Sequence, residues 1–204
     1  MSAITLLVDD PAWRKQPRLN ARLKRAAGAA METAGFKGKS TLTVLLSSDA
    51  RLRQLNRDFR GRDKPTNVLS FPASNDRDDY RGDIAIAYGI ARREAEAAGK
   101  RFADHVSHLV VHGVLHLAGY DHEAERDAKV MEPLEVKILQ RLGIGNPYAE
   151  AKGSSGREPK ATADRRAPGS SVKQGRARGF PGGAGGASET IGRVRARGRA
   201  TQQT

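Results

Sequence analysis

HGVLHLAGYDH, residues 112–122, sets His112, His116 and His122 at the spacing H-x3-H-x5-H, with Gly119 between the second histidine and the third. Three of the chain's five histidines fall in this stretch. Positions four apart stack on one helical face, so His112 and His116 can hold a single ion from the same side. Gly119 predicts a left-handed helix end at little steric cost, after which Tyr120 and Asp121 fold back to present His122 as a third ligand. Three neutral imidazoles on a tetrahedral ion leave one position open. That is the pattern of a catalytic zinc site, in which the metal lowers the pKa of a bound water to about 7.

The residues just before the motif support a helix. Val106, Leu109, Val110, Gly113, Val114 and Leu117 recur at the i, i+3, i+4, i+7 positions of a core-facing stripe. His105, His108, His112 and His116 form a second stripe, and Val111 and Leu115 take the remaining side. A helix that is apolar or histidine nearly all round is a buried helix, and buried imidazoles need partners. His108, one turn before His112, is a candidate to support the site from behind. His105, near the helix start, is expected to be exposed.

Working outward, Ile4–Val8 reads as a strand and Arg18–Ala34 as a helix stopped by Gly35. Thr41–Leu46 reads as a second strand. Ser48 offers an N-cap oxygen to a helix from Asp49 to about Asp58, with Leu52 and Leu55 inward. Val68–Phe71 is an extended run ended by Pro72, and Asp83–Tyr88 is a fourth strand. Helices from Ile90 to Ala98 and from Glu123 to Leu142 flank the histidine helix, with a kink expected at Pro133. The alternation predicts an α/β (α+β) single domain over residues 1–150: a small mixed four-stranded sheet packed with about five helices.

The 204-residue chain carries a formal net charge of +13. Residues 151–204 hold twelve Lys and Arg against three Asp and Glu, a net of +9, which leaves +4 for residues 1–150. That segment also holds eleven of the 22 glycines and lacks any hydrophobic period, so a disordered basic tail is expected. Such a tail attracts polyanions through counterion release, without sequence preference. The chain has no cysteine, which excludes disulfides and cysteine-ligated zinc and fits a reducing compartment. The N-terminal apolar run is too short for a signal sequence or a membrane span, so cytoplasm is the expected location.

These residues make the chain resemble the YbeY family, bacterial metal-dependent endoribonucleases associated with ribosomal RNA maturation and ribosome quality control. The resemblance runs over about residues 4–145 and rests on FRGRDKPTNVLSFP at 59–72, RGDIAIA at 81–87 and HLVVHGVLHLAGYDH at 108–122. It implies a single zinc held by His112, His116 and His122, a catalytic Arg60, and action on ribosomal RNA, including 16S 3′-end maturation, with the ribosome as partner. A permanently charged, forked guanidinium suits the oxygens of a phosphodiester near its transition state. Further RNA contacts are expected from Arg53, Arg57, Arg62 and Lys64, which can position a backbone but not read bases. Asp121 is a candidate to orient a ligand or relay a proton, with turn formation as its competing role. Asp83 either turns the chain into its strand or supports the cleft.

Zinc peptidases of the H-E-x-x-H type carry a general base directly after the first histidine, where this chain has Gly113. The missing glutamate counts against a peptidase. A second reading stays open beside the nuclease: a ribosome-associated RNA-binding or assembly factor whose zinc is structural. Attack by water and attack by the RNA's own 2′-hydroxyl are both compatible with the motif.

Overall fold

In the computed structural model, which describes residues 3–36, 38–74, 79–122, 125–149 and 201–202, strands and helices follow one another largely as the pattern predicts. In order they are β1 (Ala3–Val8), a 3-10 turn (Pro11–Lys15), α1 (Leu19–Thr33), β2 (Thr41–Ser47), α2 (Asp49–Arg60), β3 (Val68–Pro72), β4 (Tyr80–Ala87), α3 (Tyr88–Ala97), α4 (Phe102–Leu117), α5 (Glu125–Arg141) and β5 (Thr201–Gln202). The sheet order is β1-β2-β4-β3-β5. β1, β2 and β4 run parallel, while β3 pairs antiparallel with β4, so the four long strands form the mixed sheet expected. The expected disordered tail over 151–204 lies outside the described residues except at Thr201–Gln202. Those two residues pair with Leu69 and Ser70 as a short fifth strand.

The strand starting at Tyr80 is longer than its apolar core, Ile84–Ala87, suggests. β4 is central, and its polar first residues are held extended by neighbours on both sides: Tyr80 pairs with Thr41, and Ala73 N donates to Arg81 O at 3.1 Å. Tyr88, expected to end this strand, instead opens α3. Its ring packs edge-on against Trp13 and Phe102, with centroids 5.1 and 5.4 Å away. α5 continues through Pro133 as one helix. No helix among the described residues is long and apolar enough to cross a membrane.

Every residue of α4 from Val106 to Leu117 is buried. The helix lies in the main core with α1, α5 and the face of the sheet that carries Val44, Val68, Ile84 and Ile86. The contact with the sheet is close at Gly113. A Cβ there would lie 2.9 Å from Ile84 Cγ2 and 3.1 Å from Ser70 Oγ, and Ser70 Oγ donates to Gly113 O at 3.3 Å. Since side chains alternate across a strand, Ser70 and Ile84 face α4 while Leu69, Phe71 and Ala85 face the other way. On that second face Phe59 of α2 packs against Phe71, with ring centroids 5.2 Å apart.

Candidate metal centre

The helix stops where the motif requires. Gly119 takes φ +88, and its N–H and that of Tyr120 close the last turn onto His116 O and Leu115 O at 3.0 and 3.1 Å. The chain then returns through Asp121, whose Oδ1 accepts from His122 N at 2.7 Å, so this side chain shapes the turn. The same oxygen is 3.8 Å from His122 Nδ1, outside hydrogen-bond range.

This return brings three rings together. The His112, His116 and His122 centroids are 4.4, 5.0 and 5.1 Å apart pairwise. One ligand atom from each lies within 4.8 Å of the others, and the Nε2 atoms of His112 and His116 approach to 2.8 Å. The edge of a tetrahedron with Zn–N bonds of about 2.0–2.1 Å is about 3.4 Å, so the cluster has the size of a zinc site. The donor set agrees. His122 Nδ1 is buried with no hydrogen-bond partner, as a lone pair reserved for an ion would be. Burial, together with its two histidine neighbours, lowers the pKa of His116 to about 3, and burial also lowers that of His112, against the pull of Glu135. All of this favours the neutral imidazoles that bind metal.

Behind the cluster stands a residue the sequence reading missed. Glu135 of α5 is fully buried; its Oε1 accepts from His112 Nδ1 at 2.7 Å and its Oε2 from His108 Nε2 at 3.0 Å. Tyr148 also donates its hydroxyl to Oε2. A carboxylate only accepts, so the His112 proton sits on Nδ1 and its Nε2 lone pair faces His116. Burial pushes the Glu135 carboxyl up, but the hydrogen bonds from His108 and His112 outweigh it and hold the group well below the usual carboxylate range. Tyr148 is pushed above the usual phenol range by burial and by the Glu135 charge beside it, so its hydroxyl keeps its proton. His108 thus lies one carboxylate removed from a candidate ligand. In sequence, Glu135 is one of many acids in a helix that reads as amphipathic. The signal available was its spacing onto the buried face with Met131, Ile138 and Leu139.

His105 is not exposed as expected. The packing of α3 on α4 brings Glu94 Oε2 to 2.8 Å from its Nε2, and only 12% of the side chain remains accessible. Asp83 is buried on the sheet face turned away from α4 and accepts a hydrogen bond from the Tyr80 hydroxyl, while burial raises its carboxyl. It supports the strand, not the histidines.

Arg60 is the last residue of α2 and is half-buried. Phe59 beside it packs on Phe71, while Leu117 of α4 would lie 3.0 Å from a Cβ on Gly82, the strand partner of Pro72. The end of α2 and the histidine end of α4 therefore meet the same end of β3 and β4, from opposite faces of the sheet. Arg53, Arg57, Arg62 and Lys64 are exposed. Arg53 grips Asp63 through two bonds of 2.8 and 2.9 Å, and Arg57 Nε lies 3.2 Å from Asp58.

The family model of Endoribonuclease YbeY matches residues 9–143, which include Arg60, His112, His116, His122 and Glu135 but not Tyr148. The chain belongs to the YbeY family. A YbeY endoribonuclease of Bradyrhizobium diazoefficiens is 46% identical over 158 residues, covering 73% of this chain and 86% of that protein. The YbeY endoribonuclease of a Chelativorans species is 49% identical over 142 residues, with 67% and 87% covered. The solution structure of TM1509 from Thermotoga maritima aligns at 27% identity and a TM-score of 0.49, over 76% of this chain and 99% of that one.

Gly113 acquires a second meaning within the YbeY helix. The position that bears the general base in H-E-x-x-H peptidases here faces Ile84 and Ser70 of the sheet, where even a methyl group is crowded. This register leaves no room for a glutamate.

Proposed function

We propose that this YbeY chain is a zinc-dependent endoribonuclease, preferring single strands, that acts on ribosomal RNA in 16S 3′-end maturation and ribosome quality control in the cytoplasm. The observation that carries the metal chemistry is the convergence of three imidazoles, His112 and His116 buried and His122 partly so, with a His122 Nδ1 that is itself buried and has no hydrogen-bond partner. His112, His116 and His122 would hold the ion, which when bound supplies Lewis acidity to the scissile phosphodiester. Among the described residues the cluster holds three ligands, which leaves a coordination position for substrate and favours a catalytic over a closed structural site.

Arg60 is assigned to the equatorial phosphoryl oxygens, where a fixed positive charge lowers the barrier as negative charge develops. Its location at the strand ends that α4 also meets supports this role. Arg53, Arg57, Arg62 and Lys64 are assigned to the RNA backbone, the contributions of Arg53 and Arg57 being reduced by the carboxylates that hold them. Aromatic residues make up 5% of the chain, so base stacking is scarce and site choice falls to the ribosome or its proteins. Residues 151–204, with their net charge of +9, add grip on any polyanion. A peptidase is disfavoured by the crowding at Gly113.

The test is cleavage of a single-stranded RNA by zinc-loaded protein beside His116→Ala and Arg60→Ala at equal RNA occupancy. His116→Ala is expected to lose both zinc and cleavage. Arg60→Ala should keep zinc and lose about 100-fold or more in rate, the scale of removing one transition-state donor. Equal cleavage by all three proteins would overturn the nuclease reading and leave RNA binding alone.

A further inference from the structure

We propose that Glu135 and Tyr148 form a positioning pair for the metal: Glu135 fixes the tautomer and aim of His112, and Tyr148 fixes Glu135. The inference rests on the reading of the three histidines as ligands.

A metal-bound imidazole binds best when its other nitrogen donates to a carboxylate, which locks the ring orientation and makes the ligand nitrogen more basic. His112 Nδ1 and Glu135 Oε1, 2.7 Å apart with both side chains buried, have that geometry. An ionised carboxylate in a core is costly unless its oxygens are met. Here His108 and Tyr148 both donate to Oε2, leaving Oε1 directed at His112. His108 Nε2 and Tyr148 Oη thus hold the carboxylate from the side opposite the ligand.

Tyr148 lies beyond residue 143, where the family match ends, yet the chain around it is anchored. Lys100 Nζ donates to Pro147 O at 2.6 Å, and Tyr148 N donates to Asn146 Oδ1 at 2.9 Å. The ring packs edge-on over His108 at 5.7 Å. A segment that reads as a simple exit from α5 therefore reaches back to complete the surroundings of the metal ligand.

The experiment uses the full chain. In metal-free wild type, long-range proton–nitrogen NMR, with the His112 signal assigned by its loss in His112→Asn, should show the proton on Nδ1. A proton on Nε2 would overturn the proposal without any variant of Glu135. Zinc affinity is then measured by competition with a chelator. Glu135→Gln, which keeps the shape and removes the charge, should weaken zinc binding about 10- to 100-fold and alter the visible spectrum of the cobalt-substituted protein. Tyr148→Phe, which removes one hydroxyl from a residue 42% exposed, should release zinc to the chelator roughly threefold to tenfold faster. Wild-type affinity, release rate and spectrum in both variants would overturn the pair while leaving the three-histidine site standing. A wild-type protein that binds no zinc would remove that site and this inference with it.

Discussion

The histidine end of α4 and the exposed arginines of α2 are built in opposite ways. His112 and His116 are buried and His122 partly so, and a carboxylate from another helix backs His112. Arg53 and Arg57 are exposed and are satisfied locally by Asp63 and Asp58. Three convergent imidazoles with a buried ring nitrogen left without a partner imply a ligand, whereas a solvated charge that has found a neighbour implies little. The contrast says that identity of function rests on the buried cluster and that the surface charge tunes it.

The largest expected effect on this comparison comes from Gly113. Replacing it by Glu, to restore the general base of a peptidase, puts a charged side chain between α4 and Ile84. An unpaired buried charge and overpacking together cost more than about 3 kcal/mol, so the variant should not yield folded protein and should show no peptide hydrolysis. Gly113→Ala should be milder, with a Cβ only 2.9–3.1 Å from three side-chain atoms and a gain in helix propensity in partial compensation. A folded, metal-binding Gly113→Glu protein would show that the helix can step away from the sheet, and urea denaturation of both variants measures this.

Next in size is the response of the metal-free protein to acid. His116 titrates near 3 in the fold, against 6.5 for an ordinary histidine. Between those values the unfolded chain takes up a proton that the folded chain refuses, so stability rises with pH and is lost as pH falls from about 6.5. Glu135 acts in the same direction at lower pH. Its depressed folded value gives stability that is full above the ordinary carboxylate range and lost as pH falls through the folded value. Denaturant midpoints of metal-free protein at pH 7 and pH 5 should differ in that sense, and His116→Ala should reduce the difference. A midpoint flat across this range would mean the imidazoles are not buried neutral.

The smallest expected effect is on the arginine face. Asp63→Asn removes the partner that holds Arg53, so affinity for single-stranded RNA at low salt should rise by about twofold to threefold with a steeper salt dependence. Arg53→Ala should change it by less than that. A large loss from Arg53→Ala would mean that RNA displaces Asp63, and the surface would then rank nearer the histidines in importance.

The different construction also decides what could be read from residue order. Ligands four and six positions apart on one helix and its return are neighbours by geometry alone, so His112, His116 and His122 were legible, and Gly119 marked the turn. The four long strands were legible from their apolar runs, while the start of β4 at Tyr80 was not, because pairing on both sides holds polar residues extended there. Glu135 and the Glu94 partner of His105 come from neighbouring helices, 23 and 11 residues away, and no local period encodes which acid turns inward. Gly113 was noticed for the glutamate it lacks. Its steric reason needed the partner strand, since Ser70 is 43 residues distant.

The most direct test of the central claim is the zinc content of purified wild-type protein beside His112→Ala, His116→Ala and His122→Ala, measured by elemental analysis. One zinc per chain in the wild type, with substoichiometric metal in each variant, is the predicted result. Zinc retained at one per chain by any of the three variants would contradict a site built from these three imidazoles.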